Sequence, residues 1–522
     1  MPDTPDAQDS PDTDDATDDR AGRVEFPRKD DGSRSTSALG RAVVAEALRS
    51  VDPTGSTAAE RETNWRSGYL RHLRRLTEAG MHDAEVARTI AADGLQAVHE
   101  RMVLTCTDGD RPLATLRDAP ADRNLATVAV DGQADPQQQL AVPYRGRTLV
   151  GDGLRRQLAT WVEDGIIEPT VVEAIDLVLA NPDWLRLEGR TVAVLGAGAE
   201  IGPLRSLLSW GATVAAVDLP RRAIWDRVIA DARERAGRLL IPVDPAGLSE
   251  VDANGSGTID ADSSSDREVA RHAGLDLIGE VAAAADWVAV LDGVPVIGTY
   301  AYADGGTHVR VTVAADVVAQ RVLGMRPDAA LAFLATPTDA FGVPQEVVAT
   351  SAAAYADRST TARLLGRPLR TLSGGRLLKR NYAPDVSPGL CDALVAQQGP
   401  NYALAKRIHR WRATAARADG TTVSLNVAPS TRTRSVVKNR VLAAAYAGAH
   451  RFGIEVFDPP TTNALMAALL VHDLHTDGGP AQELPWQQEA YAAAHGGLWR
   501  TAYAPRSALG LATVIGVGAT RG

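Results

Sequence analysis

The sequence predicts an α/β protein built on a doubly wound parallel sheet and preceded by a mostly helical N-terminal domain. Three observations carry this. Beyond about residue 188, short β-branched runs alternate with helical segments, the pattern of strands joined by crossover helices. One of those runs, Thr191–Leu195, is continuously apolar and ends in a glycine turn. The chain of 522 residues, 45% hydrophobic and 23% charged, has an ordinary globular composition and the length for two or three domains.

Residues 1–36 are rich in Asp, Thr, Ser and Pro and poor in apolar groups to offset the entropy of ordering, so a disordered acidic tail is expected. That tail holds most of the net charge. Of the formal −10, eight Asp fall within residues 1–19 without a Lys or Arg, leaving about −2 on the remaining 503 residues. A nearly neutral body argues against a nucleic-acid-binding surface.

From Ser37 to about Gly109 apolar residues recur at helical spacing, as in Leu70, Leu73, Leu76 and later Val86, Ile90, Leu95, Val98. Gly153 to Leu179 reads as two helices broken at Gly165–Pro169 and stopped by Asn181-Pro182. Residues 37–187 are therefore assigned to the helical domain. The α/β domain, 188–475, is expected to hold strands at Thr191–Leu195, Thr213–Val217, Leu239–Val243, Trp287–Leu291, Ala330–Leu334 and Thr422–Val427. Residues 476–522 form a C-terminal extension.

Cys106 and Cys391 are too few for a disulfide framework, which fits a reducing cytoplasm. The N-terminus has no basic-then-apolar signal, and no uncharged run reaches the ~20 apolar residues of a membrane span. A cytoplasmic protein without a membrane partner is expected; a homo-oligomer stays open. Asp252, Asn254, Ser256, Gly257 and Asp260 match the start of a calcium loop, but Ser263 stands where the bidentate Glu belongs, so a surface loop is expected there. His472 and His475 lack the companions of a metal site and read as a helix end. No metal is expected.

The sharpest local signal is Thr191-Val-Ala-Val-Leu-Gly196-Ala-Gly198-Ala-Glu-Ile-Gly202. Gly196 permits a tight turn, Gly198 leaves room for a phosphate against the backbone, and Gly202 opens a helix whose N-terminal N–H groups favour an anion. The next strand ends in Asp218, 22 residues beyond Gly196, where a carboxylate can receive a ribose hydroxyl. Together these units predict a Rossmann-type nucleotide site. A carboxylate there favours NAD over NADP, although Arg221 and Arg222 could reverse the preference. S-adenosylmethionine suits the same layout.

Tyr402 and Lys406 separate these ligands. They lie one helical turn apart on a segment that reads as helix through Ala418, so both project from one face. An ammonium beside a phenol favours the phenolate and lowers the tyrosine pKa, as a general acid/base requires. The lysine is also unusual for this chain, in which only Lys29, Lys379, Lys406 and Lys438 interrupt 51 Arg.

With these residues, the region Arg190 to Leu474 resembles, distantly, the short-chain dehydrogenase/reductase superfamily. The resemblance rests on the glycine turn, Asp218, Asp244 after the third strand, a fifth strand running to Thr336 and Thr338, Tyr402 with Lys406, and Thr422–Ser430. It implies NAD(P)-dependent hydride transfer to or from a carbonyl or secondary alcohol. Tyr402 would exchange the proton, and Lys406 would bind ribose and tune Tyr402. Thr336 or Thr338, with Ser387 as a rival, would hold the substrate oxygen. Pro429 would lie beside the nicotinamide, while Arg432, Arg434 and Lys438 would clamp a diphosphate or an anionic small-molecule substrate. The glycine spacing differs from the family's, Leu291-Asp292-Gly293 replaces its Asn-Ala-Gly, and Ser430 stands where Gly is usual. The alternatives are a methyltransferase and a nucleotide-binding protein without catalysis.

Overall fold

The structure, a computed structural model, describes residues 21–247, 258–262 and 265–519. Its centre is an eight-stranded sheet. In chain order the strands are β1 (Ala126–Asp131), β2 (Arg190–Leu195), β3 (Thr213–Val217), β4 (Arg238–Val243), β5 (Thr258–Asp260), β6 (Val294–Thr299), β7 (Ala330–Ala335) and β8 (Val423–Val427). Across the sheet they run β5-β1-β4-β3-β2-β6-β7-β8. The six strands from β4 to β8 are mutually parallel, while β1 pairs antiparallel with β4 and β5 joins β1 in parallel.

The apolar runs are strands because both faces of the sheet are covered. Alternate residues point to opposite faces. Ala193, Leu195, Ala215 and Val217 enter one core with the helices Thr36–Arg49, Ala84–Arg101, Gly305–Met325 and Pro400–Ala418. Val192, Val194, Val214 and Ala216 enter the other, with Gly151–Glu163, Pro169–Ala180, Arg222–Arg233 and Pro459–His475. Residues 37–187 thus supply helices to both cores and one strand, β1, to the sheet. Among the described residues no helix is long and apolar enough to cross a membrane.

Two sequence expectations need correction. Trp287–Leu291 is not a strand: it belongs to, and just follows, the buried helix Val281–Ala289, and the strand is β6, which begins at Val294. The expected tail is shorter than 36 residues. Val24–Glu25 pairs with Val103–Leu104, and buried Glu25 receives Arg310 at 2.6 Å. Residues 1–20 and most of the calcium-like segment, 248–257 with 263–264, lie outside the described residues; of that segment only Thr258–Asp260 is seen as a strand, β5.

A buried charge network fixes helix 400–418. Asp339 Oδ1 accepts from Arg407 at 2.7 Å, and its Oδ2 accepts from Arg410 at 2.8 Å. Arg410 continues to Glu489 through two bonds of 2.7 and 2.6 Å. Arg407 also reaches the Thr77 hydroxyl at 3.1 Å. Removing one partner of such a network leaves charge uncompensated in the interior, at a cost of ~3–5 kcal/mol. Asp339→Ala is therefore expected to lower unfolding free energy by about that amount in urea titrations at neutral pH.

Candidate functional site

The carboxyl ends of five consecutive strands open into one cleft of about 1080 Å³. Asp218 follows β3, Gly196 follows β2, Tyr300 follows β6, Thr336 follows β7, and Pro429 lies two residues after β8; all line it. Strand order turns back between β2 and β6. Open α/β sheets bind ligands at such a switch point, outside the carboxyl ends of the strands.

At one end stands the glycine turn. Gly196 adopts φ +96°, and a Cβ there would lie 2.5 Å from the Ala301 backbone, so glycine is required on both counts. Asp218 Oδ2 accepts from the Gly198 N–H at 2.7 Å, and Oδ1 from the Leu219 N–H at 2.8 Å. Burial pushes its carboxyl above the ordinary value, against those two bonds. Arg221 lines the cleft beside it, whereas Arg222 turns to Asp226 at 3.4 Å.

The turn departs from expectation after Gly198. The helix starts only at Leu204. The Gly202 N–H, expected to face an anion, instead donates to Asn463 Oδ1 at 3.1 Å, and Asn463 Nδ2 donates to the Glu200 carbonyl at 3.0 Å.

Midway along the cleft lie Tyr402 and Lys406, both part-buried on helix 400–418, with Thr336 and Thr338 facing them. The two threonine hydroxyls are 2.9 Å apart, Gln398 Nε2 donates to Thr338, and both threonines line the cleft together with Tyr402. The expected effect of the lysine on the tyrosine is not seen. Burial pushes the Tyr402 phenol up to about 12, opposed by the polar Thr336 side chain nearby. Lys406 Nζ donates to the Leu334 carbonyl at 3.1 Å and lies 5.9 Å from the Tyr402 ring centre. Burial lowers its ammonium to about 8.

Several partners were not visible in the sequence. His308 stacks on Tyr402, with ring centres 5.4 Å apart and planes 11° apart. Its Nδ1 accepts from the Ala303 N–H at 3.3 Å, which leaves the proton on Nε2. That Nε2 is buried and has no hydrogen-bond partner among the described residues. Burial and, second, the Lys406 charge lower the imidazole to about 3, so it is neutral. Tyr302 flanks the pair, 5.2 Å from His308. Tyr446, on helix Arg440–Gly448, and Ser430 line the cleft beside them.

Three assigned residues do not join the cleft as expected. Asp244 pairs with Arg123 at 3.0 Å. Arg432 lines a smaller neighbouring pocket and faces Asp458 at 3.8 Å. Gly202 is engaged by Asn463, and the rival Ser387 is also absent from the lining. Arg434 and Lys438 do reach the rim. Glu200 partly balances Arg434, accepting from its backbone N–H at 2.8 Å and lying 3.5 Å from its Nε. Among the described residues no group of three or more His, Cys, Asp or Glu could hold a metal. No protein-family model matches the chain, and no curated protein matches it.

His308 makes the site sensitive to acid. As pH falls from 6.5 toward 3, the unfolded chain binds a proton that folded His308 refuses, so stability present above 6.5 is lost across that window. Between pH 7 and pH 5 this linkage amounts to about 2 kcal/mol. His308→Gln should remove that much of the loss, read as a flatter stability–pH curve in urea unfolding.

Proposed function

We propose that the protein is an NAD(P)-dependent oxidoreductase of short-chain dehydrogenase/reductase type, acting on a carbonyl or secondary alcohol. The observation that carries the proposal is the single cleft holding Gly196 and Asp218 at one end and Thr336, Tyr402 and Lys406 at its middle. The parallel order β4-β3-β2-β6-β7-β8 supports a Rossmann-type reading, since it matches the 3-2-1-4-5-6 order of dinucleotide-binding sheets.

The chain's residues fit such a cofactor at two points. Gly198 brings its backbone to the Asp218 carboxylate, so one acid and one glycine meet where a ribose would be held. The cleft volume exceeds the ~300–1,000 Å³ of an ordinary small-molecule site, leaving space for cofactor and substrate together. Asp218 favours NAD, and Arg221 beside it offers a partner for the extra phosphate of NADP.

Nicotinamide, when bound, supplies or accepts the hydride. The rest of the chemistry falls to side chains. With its phenol raised to about 12, Tyr402 carries its proton throughout the neutral range and acts as the acid that protonates a developing alkoxide, favouring carbonyl reduction. Thr336, which lines the cleft with Tyr402, offers a second contact to the substrate oxygen. Lys406, cationic below about 8, stabilises the phenolate left behind.

The non-catalytic reading finds support in the glycine turn, where Asp218 and Asn463 take the Gly198 and Gly202 amides. Calorimetric titration with NADH, NADPH and S-adenosylmethionine tests all three readings. Nicotinamide binding with carbonyl turnover is expected. Binding without turnover points to the non-catalytic protein, and binding of S-adenosylmethionine alone to a methyltransferase.

Tyr402→Phe should lower kcat by about 10²–10⁴ without changing the NADH dissociation constant. The rate of carbonyl reduction should stay level toward pH 8 and fall above it, as Lys406 loses its proton near 8. In Lys406→Met the reduction rate should be low, without that alkaline fall.

A further inference from the structure

The cleft continues past the reacting groups. Helix Arg440–Gly448 turns Tyr446 toward Ser430, next to Tyr402, while Leu442 and Ala445 of the same helix line the cleft further along. Ala449 and Phe452 follow, and Leu509 and Ala512 of helix Pro505–Ala519 line it too. These two helices cross closely: a Cβ on Gly516 would lie 1.8 Å from the Ala444 carbonyl oxygen, and one on Gly448 would lie 2.0 Å from that of Ala512. Their contact is therefore a fixed wall.

The position of this arm separates it from the nucleotide end. Ser430, which lines the cleft with Tyr446 where the arm begins, follows β8, whereas Asp218 follows β3, four strands away. At ~4.8 Å per strand that is roughly 19 Å. Thr336 and Tyr402 lie between the two. A ligand reaching from the threonine hydroxyls into the arm meets mainly alkyl and aromatic side chains, with Thr501 and Tyr503 among them, so apolar groups entering it gain by leaving water.

We propose that this arm is the substrate subsite and that the substrate is a carbonyl compound, or its alcohol, carrying an extended apolar chain of several carbons. The chain lies along the wall that helices 440–448 and 505–519 present to the cleft, and the oxygen sits at Thr336 and Tyr402. This rests on the oxidoreductase reading above. The reaction balances as carbonyl plus hydride from the reduced nicotinamide plus the Tyr402 proton, giving the secondary alcohol and the oxidised cofactor. The C-terminal residues 498–512 thereby become specificity determinants.

The test is calorimetric binding of straight-chain methyl ketones, butan-2-one to decan-2-one, to the full chain with and without saturating NADH. Each added methylene buried in the arm should tighten binding about fourfold, until the arm is full. Leu442→Trp and, separately, Leu509→Trp place an indole in the arm from part-buried positions. Either should abolish the gain for decan-2-one while leaving butan-2-one and NADH binding unchanged. Affinity independent of chain length, or a gradient that survives both variants, overturns the proposal. The two readings fail separately: NADH binding without a chain-length gradient removes only the apolar subsite. A gradient that the variants cancel, in a protein that binds no nicotinamide cofactor, upholds the arm and removes the oxidoreductase reading.

Discussion

The Asp339 carboxylate is the constraint on which the site depends. It lies three residues beyond Thr336, at the end of β7, and both of its oxygens are taken by arginines of helix 400–418. The hydroxyls of the 336–338 segment and the helix bearing Tyr402 and Lys406 are thus held together by two charge-assisted bonds in the dry interior, where an incomplete network is costly. The arginines then recruit distant segments. Arg407 takes Thr77 from the N-terminal helices, and Arg410 takes Glu489 from the C-terminal extension. Two residues further along the helix, Arg412 meets Asp316, which also accepts from His99. Segments that the sequence divides among an N-terminal domain, a sheet domain and an extension converge on one helix.

The regions legible in the sequence were those where local pattern and global burial agree. The runs at β2, β3 and β4 are apolar on successive positions because odd and even residues serve two different cores. Where a run was apolar for another reason, the reading failed. Val281–Ala289 is a helix buried nearly all round, and a short apolar stretch of that kind has no periodicity to distinguish it from a strand. The true strand β6 was masked by Pro295 and Gly298, residues that ordinarily weaken a strand assignment. β1 carries β-branched alternation, but its place in the sheet comes from antiparallel pairing with β4, more than a hundred residues away.

The site divides in the same way. Gly196, Asp218, Tyr402 and Lys406 were found because each sits in a local motif whose spacing is dictated by one turn or one strand end, and the cleft unites them. Asp244 also follows a strand, but position in sequence does not aim a side chain, and Arg123 draws it away. Arg432 and Arg434, two apart, diverge to Asp458 and Glu200. His308, Tyr302, Tyr446 and the apolar arm carry no motif. They reach Tyr402 only through the packing of helices 305–325, 440–448 and 505–519, which no local spacing encodes.

The scarcity of lysine also acquires a physical reason. Along helix 400–418 three cations that serve the fold, Arg407, Arg410 and Arg412, are arginines bonded to carboxylates. A guanidinium keeps its charge and presents a fork that matches two carboxylate oxygens, as Arg410 does to Glu489. Those properties suit a buried scaffold. At 406 the side chain meets a lone carbonyl, Leu334, and an aromatic face, with no carboxylate among its hydrogen-bond partners. There burial alone brings an ammonium down to about 8. On the oxidoreductase reading proposed above, a compact cation whose charge is poised near neutrality stabilises a phenolate as it forms and releases it afterwards, where a guanidinium would hold its charge through both. In a chain that otherwise prefers arginine, the cation of this helix that lines the cleft is a lysine bonded to a carbonyl.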